Sequence, residues 1–292
     1  MKNNTTRGIV MMIMAVAALT TMSALVKVIG PDYHPAQLSF LRNIIAATVI
    51  LPFLLRAGGL GILRTKRPGM HIARGLVGLA GNLLFFYSFQ RMPVGDVIVI
   101  SQAVPLFVTV LAVLFLGERV GLRRWAAVSI GFVGVLISTD PTGAFQQTAL
   151  LAVAGTALWA CTILMIRSLG ATESPFTIAF YFMIIGAIVT AAFLPFVWRT
   201  PTPEVWFLLI GVGIFGAAGQ MLMSYALKLA EASVVSPFNY TGILWGIGFD
   251  LILWGIAPTW TTLTGAAVIT AAGLYIFRRE SAVRKAAKGS SL

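Results

Sequence analysis

Arg42 is the side chain with the most chemistry to offer, because it lies well inside an apolar stretch, 35–55. A guanidinium at that depth is costly in hydrocarbon without a partner. It has two uses there: gripping a carboxylate or phosphate in its fork, or pairing within the protein. Lys27 and Arg167 stand near the ends of other apolar stretches. Long basic side chains at such ends reach back to water, or take part in binding or gating. Asp250 and Asp96 are the best embedded acids, each suited to titrate with a coupled proton or to neutralise a nearby base. Asn82, Ser101, Gln102, Gln220, Asn239 and Tyr240 are uncharged polar groups in apolar surroundings. Such groups hydrogen-bond a bound solute or hold neighbouring helices together. Pro105 and Pro237 each remove a backbone donor, which permits bending, exposes a carbonyl to a site or leaves a static kink. Trp159, Tyr181 and Trp245 have the size to wall a ring or a cation, or simply to pack. Trp206 and Trp260 read as interfacial anchors.

Other chemistries lack their residues. His34 and His71 share no metal-ligand spacing, and neither a metal nor a cofactor is expected. No Walker motif is present to support ATP-driven work. No Ser/His/Asp set or carboxylate pair suggests an enzyme.

The elements that carry these residues follow from composition. Of 292 residues, 58% are hydrophobic and 10% charged, with a mean hydropathy of +0.91. A soluble domain carries about 25% charged residues. A water-soluble enzyme, a disordered chain and a nucleic-acid-binding domain are thereby excluded. Cys161 is the only cysteine and forms no internal disulfide. A spanning helix needs about 20 apolar residues, and ten such segments can be read: 8–29, 35–55, 70–90, 94–116, 122–139, 147–168, 175–198, 204–227, 233–255 and 259–278. Turn-forming breakers separate them, among them Gly30-Pro31-Asp32, Met92-Pro93, Asp140-Pro141 and Ala257-Pro258. The first segment is too long for a signal-peptide core and leads straight into another span. The expected class is an all-α polytopic membrane protein.

The net charge of +12 is a topology signal. With a cytoplasmic N-terminus, most of the 21 Lys and Arg fall on the cytoplasmic side, including Arg64, Lys66, Arg67 and Arg74, Arg123 and Arg124, and Arg278 and Arg279. That bias sets orientation, places both termini in the cytoplasm, and adds attraction to anionic lipid.

The chain also repeats. VKVIGPDYHPAQLSF, from Val26, aligns with IRSLGATESPFTIAF, from Ile166, matching Gly30 to Gly170, Pro35 to Pro175 and Phe40 to Phe180. In a second register, shifted by two residues, Gly81 meets Gly219, Tyr87 meets Tyr225 and Gly117 meets Gly255. This register also pairs Asn82 with Gln220, Ser101 with Asn239, and Gln102 with Tyr240. Five spans per repeat is an odd number, so the second copy enters the membrane inverted. Inverted repeats are the architecture of carriers that alternate access around a midplane site. The expected organisation is a first five-helix repeat over 1–141, an inverted second over 142–280, and a basic cytoplasmic tail over 281–292.

The stretch SQAVPLFVTVLAVLFLGERVGLRRWAAVSIGFVGVLIS, from Ser101, resembles the hallmark of the drug/metabolite transporter superfamily in its ten-helix EamA-type branch. A Pro-interrupted helix there ends in a Gly-Glu pair, and a short basic loop leads to a Gly-rich helix. VVSPFNYTGILWGIGFDLILWGIAPTW is its counterpart, with Gly255-Ile256 where the pair would stand, so only the first half keeps the acid, Glu118. HIARGLVGLAGNLLFFYSFQRMPVGDV, from His71, is similar to the branch that includes S-adenosylmethionine uptake carriers, near amino-acid exporters and riboflavin carriers. The resemblance implies a basket: spans 1–4 and 6–9 around a central cavity, spans 5 and 10 outside it. No acid lies mid-way along the first span, which argues against proton-driven antiport of lipophilic cations.

The function expected is that of a secondary transporter in the inner membrane, a monomer or homodimer. Its partners are lipid and a small zwitterionic or carboxylate-bearing metabolite, such as an amino acid or S-adenosylmethionine, and no nucleic acid. S-adenosylmethionine fits the resemblance better than the charge inventory, because it is net cationic. The alternatives are an exporter of drugs or of metabolites such as riboflavin, or a lipid flippase or scaffold subunit.

Overall fold

The computed structural model describes residues 2–117, 120–139 and 146–289, and every regular element among them is helical. In chain order these are α1 (Lys2–Ile29), α2 (Pro35–Gly58), α3 (Pro68–Phe89), α4 (Val94–Ser101), α5 (Val104–Leu116), α6 (Leu122–Thr139) and α7 (Gln146–Leu169). Then come α8 (Pro175–Ala191), α9 (Leu194–Val197), α10 (Pro203–Leu229), α11 (Ala232–Val235), α12 (Thr241–Trp254) and α13 (Trp260–Gly289). Taking α4 and α5 together, eight helical stretches among the described residues are long and apolar enough to cross a membrane, and α8 is apolar but shorter. The expected boundary at 141/142 and the acid Glu118 lie outside the described residues. Helix α13 continues through 281–289 of the expected tail.

Starts and stops follow local chemistry. His34 and Ser174 cap α2 and α8, accepting from the amides of Ala36 and Thr177, and a proline follows each in the first turn. That combination supplies an acceptor for an orphan donor and a preset φ. Gly117 and Gly255 close α5 and α12 in the left-handed region, at φ 64° and 65°, where a side chain would be strained. Two expected spans are interrupted. The stretch 94–116 breaks at Gln102-Ala103, with Pro105 in the first turn of α5. The stretch 233–255 is the short α11, a 3-10 segment Ser236–Tyr240 containing Pro237, and then α12. The span expected over 175–198 stops at Ala191, and a separate turn, α9, carries Pro195. A proline cannot donate to the carbonyl one turn back.

Packing is pairwise. The most extensive contacts join α1 to α10, α6 to α13, α3 to α7, α2 to α8, α2 to α10 and α4 to α12. Small residues set the close crossings: a Cβ on Gly81 would stand 3.3 Å from the Gly155 carbonyl, and one on Gly219 would stand 3.1 Å from the Ala15 carbonyl. Helix α4 lies at the centre. Val94, Val97, Val99 and Ile100 are all fully buried, as a helix apolar on every side must be.

Candidate functional site

Three polar groupings are built inside this apolar bundle. The first joins α1, α4 and α12. The Lys27 ammonium lies 2.9 Å from an Asp250 oxygen and 4.3 Å from the centre of the Trp254 ring. The same carboxylate accepts from the amides of Val94, at 2.9 Å, and Gly95, at 2.7 Å. Pro93, at the N-cap of α4, offers no side-chain cap. Asp250 therefore caps α4 from another helix, where a carboxylate also meets the positive end of the helix dipole. Asp96 accepts from the Thr262 hydroxyl at 2.7 Å, tying α4 to α13. A cleft of about 290 Å³ runs beside the two acids, lined also by Pro93, Thr259 and Thr262. Arg167, matched to Lys27 by the repeat, is exposed.

The second grouping surrounds Arg42. Its guanidinium is 3% exposed and donates to the Asn43 side-chain oxygen at 2.9 Å. Its carbon lies 5.7 Å from the centre of the Phe182 ring. Arg74 of α3 approaches the same ring at 4.4 Å and donates to the Ile178 carbonyl at 3.3 Å. No carboxylate lies within 4 Å of either guanidinium among the described residues. Glycines make the room: Cβ atoms on Gly78 and Gly216 would stand 3.0 Å from Phe182 and 3.2 Å from Arg42, and one on Gly186 would strike the Asn43 amide.

The third grouping sits where the segments before α3 and α8 meet. Glu173 accepts from the Thr65 hydroxyl at 2.7 Å and lies 4.0 Å from the His71 ring nitrogen. Arg67 donates to the carbonyl and hydroxyl of Ser168. His71 is fully buried and stacks on Tyr181 at 4.4 Å, and the Tyr181 hydroxyl donates to the Leu63 carbonyl.

The remaining candidates are distributed. Gln102 donates to the Asn239 carbonyl at 3.1 Å, bridging the two helix breaks. Its repeat mate Tyr240 seats its hydroxyl against Gly273 of α13. Asn82 accepts from Ser39 at 3.1 Å, and Ser101 donates back to the Ile98 carbonyl. Gln220 and Trp159 are half-buried on α10 and α7, and Trp245 is 42% exposed. Tyr181 is engaged with His71 rather than with either tryptophan. Pro105 and Pro237 mark the breaks themselves.

Sequence reasoning missed Arg74, grouped with the cytoplasmic charges, and His71, considered only as a metal ligand. Both are buried in α3. A signal for Arg74 existed: it lies six residues into α3, as Arg42 lies seven residues into α2. Phe182 was also findable, because the register that matches Gly30 to Gly170 sets it opposite Arg42.

Known proteins share this chain's sequence throughout. The model of the EamA-like transporter family matches residues 6–139 and again 146–278. A riboflavin transporter of Brucella anthropi is 30% identical over 86% of this chain and 90% of its own. An S-adenosylmethionine uptake transporter of Rickettsia bellii is 29% identical over 94% of each chain. The pseudopaline exporter CntI of Pseudomonas aeruginosa is 27% identical over 93% of this chain and 96% of its own. A crystal structure aligns with a TM-score of 0.64 at 18% identity, covering 92% of this chain and 96% of that one, and shares the fold. The chain belongs to the EamA-like transporter family, within the drug/metabolite transporter superfamily, as a multi-pass membrane protein.

Proposed function

We propose that this protein is a secondary active transporter that moves a small zwitterionic or carboxylate-bearing metabolite across the inner membrane by alternating access. The observation that carries the reading is Arg42: a buried guanidinium inside a membrane-crossing helix, without a carboxylate beside it. Intramembrane charges of this kind mark solute pathways.

The alternating-access part rests on ten spans arranged as two inverted repeats with cytoplasmic termini. Several features support it. The family model matches twice, on either side of 140–145. The pairing of α1 with α10 becomes the pairing of α7 with α3 when the first segment is exchanged with the sixth and the eighth with the third. Likewise the Gly81–Gly155 crossing has its counterpart in Gly219–Ala15. The caps at His34 and Ser174 correspond, as do the left-handed closures at Gly117 and Gly255. The relatives named above include both uptake and export proteins, and amino acids, S-adenosylmethionine and riboflavin are the solutes to test first.

The test is transport in proteoliposomes. Saturable uptake or counterflow of one of these solutes, lost in Arg42→Ala, is the expected result. Unchanged transport and affinity in that variant would remove Arg42 from the site. Absence of saturable transport for these solutes and for dicarboxylates and phosphate monoesters alike would sink the transporter reading itself.

A further inference from the structure

The surroundings of Arg42 narrow the solute further, on the reading that the protein is a transporter. Arg42 and Arg74 come from different helices and approach a single ring, that of Phe182. They are 3% and 5% exposed, and two like charges so close repel one another. The site is also rich in donors. The Nε groups of both arginines and the Asn43 side-chain amide are buried with no hydrogen-bond acceptor. Buried donors normally find partners, and the embedded acids are already engaged with other groups. Asp250 holds Lys27, Val94 and Gly95; Asp96 holds Thr262; Glu173 holds Thr65. The space is shaped around these side chains by Gly78, Gly186 and Gly216.

We propose that Arg42 and Arg74, with the Asn43 amide between α2 and α8, bind one solute group that carries two negative charges, a dicarboxylate or a phosphate monoester. Two guanidiniums neutralise two charges, and their planar forks match carboxylate and phosphate oxygens. A monocarboxylate or zwitterion leaves one buried cation uncompensated, and a net cation is repelled. The Phe182 ring, 5.7 Å from one guanidinium and 4.4 Å from the other, supplies an apolar surface beside them. Because Arg74 lies on α3 and Arg42 on α2, the bound group also links these two helices, which the Ser39–Asn82 hydrogen bond joins elsewhere.

The experiment measures equilibrium binding to the full-length protein in nanodiscs. The probes are malate, glycerol 3-phosphate, lactate, glycerol and S-adenosylmethionine. Malate or glycerol 3-phosphate is expected to bind about tenfold or more tightly than lactate, and whichever is tighter identifies the oxyanion. Arg74→Gln and Arg42→Gln are each expected to weaken that binding by about tenfold or more, with Arg74→Lys recovering part, as a point charge without the fork. Elution as a folded monodisperse species qualifies each variant, and the wild-type probe series decides the matter without them. Lactate or S-adenosylmethionine binding as tightly as the dianions overturns the proposal. So does full dianion affinity in Arg74→Gln. Saturable transport of lactate or S-adenosylmethionine, unaffected by Arg74→Gln, keeps the transporter reading and removes the dianion site. Dianion binding without transport of any solute does the reverse.

Discussion

Arg42 and Phe182 occupy the same position in the two aligned segments and face each other at 5.7 Å across the α2–α8 contact. One segment supplies the cation and the other supplies the surface on which it rests. A backbone arrangement that pairs like with like thus carries unlike chemistry, and the site has a polar wall and an apolar wall.

Arg42 has a neutral hydrogen-bond partner in Asn43 and the Phe182 ring beside it, but no carboxylate among the described residues to offset its burial. Without a carboxylate partner it carries a desolvation cost, about 2.5–3.5 kcal/mol at the centre of a membrane helix. Arg42→Met is therefore expected to raise the unfolding temperature in detergent while transport is lost. A lower unfolding temperature would show that the guanidinium is held for packing.

Lys27 and Asp250 should behave oppositely. Asp250→Ala strands a buried ammonium and the amides of Val94 and Gly95, at a cost of about 3–5 kcal/mol. Lys27→Met/Asp250→Asn removes both charges and keeps an acceptor for one amide, so it should recover a good part of that loss. Thermal unfolding of the single and double variants measures the coupling. Additive losses would place the two residues in separate roles.

Gly265 and Gly248 make a matched pair of controls. A Cβ on Gly265 would stand 2.8 Å from the Gly134 carbonyl and would strike Ser138, whereas one on Gly248 meets nothing within 4 Å. Gly265→Ala should cost about 1–3 kcal/mol by forcing α6 and α13 apart. Gly248→Ala should gain up to about 1 kcal/mol through helix propensity. Unfolding temperatures that move together would show that the α6–α13 crossing tolerates the extra carbon.

Gln102 tests the interrupted helices. Its hydrogen bond to the Asn239 carbonyl is worth about 0.6 kcal/mol if it acts as an ordinary interhelical bond. Gln102→Leu is expected to change stability by no more than that, yet to slow transport several-fold at saturating solute. A variant that transports at the wild-type rate would assign the contact to scaffold alone.

Eight of the ten expected spans were legible among the described residues because a bilayer fixes one dimension: apolar length between breakers located those segments to within a few residues. Rotation about each axis was not legible. Helices such as α8 and α12 are apolar all round, so no face announces itself. Arg74 and Arg42 both lie inside apolar segments, but their meeting at Phe182 needed three helices in place. The Lys27–Asp250 pair joins residues from opposite ends of the chain, and the capping of α4 by Asp250 uses backbone donors that carry no sequence signature. Pro105 and Pro237 did mark real discontinuities, because a missing donor is a local property. Tyr240 shows the limit of the repeat: its mate Gln102 bridges the breaks, while Tyr240 turns to Gly273.

Two guanidiniums buried along the membrane's thickness also have an electrical meaning. Moving one elementary charge across the full membrane potential is worth about 2.3 kcal/mol per 100 mV. On the proposed reading, an anionic solute discharges Arg42 and Arg74, so the field acts on the reorientation of the unloaded carrier more than on the loaded one, and the resting voltage sets how often an empty site returns to collect its next cargo.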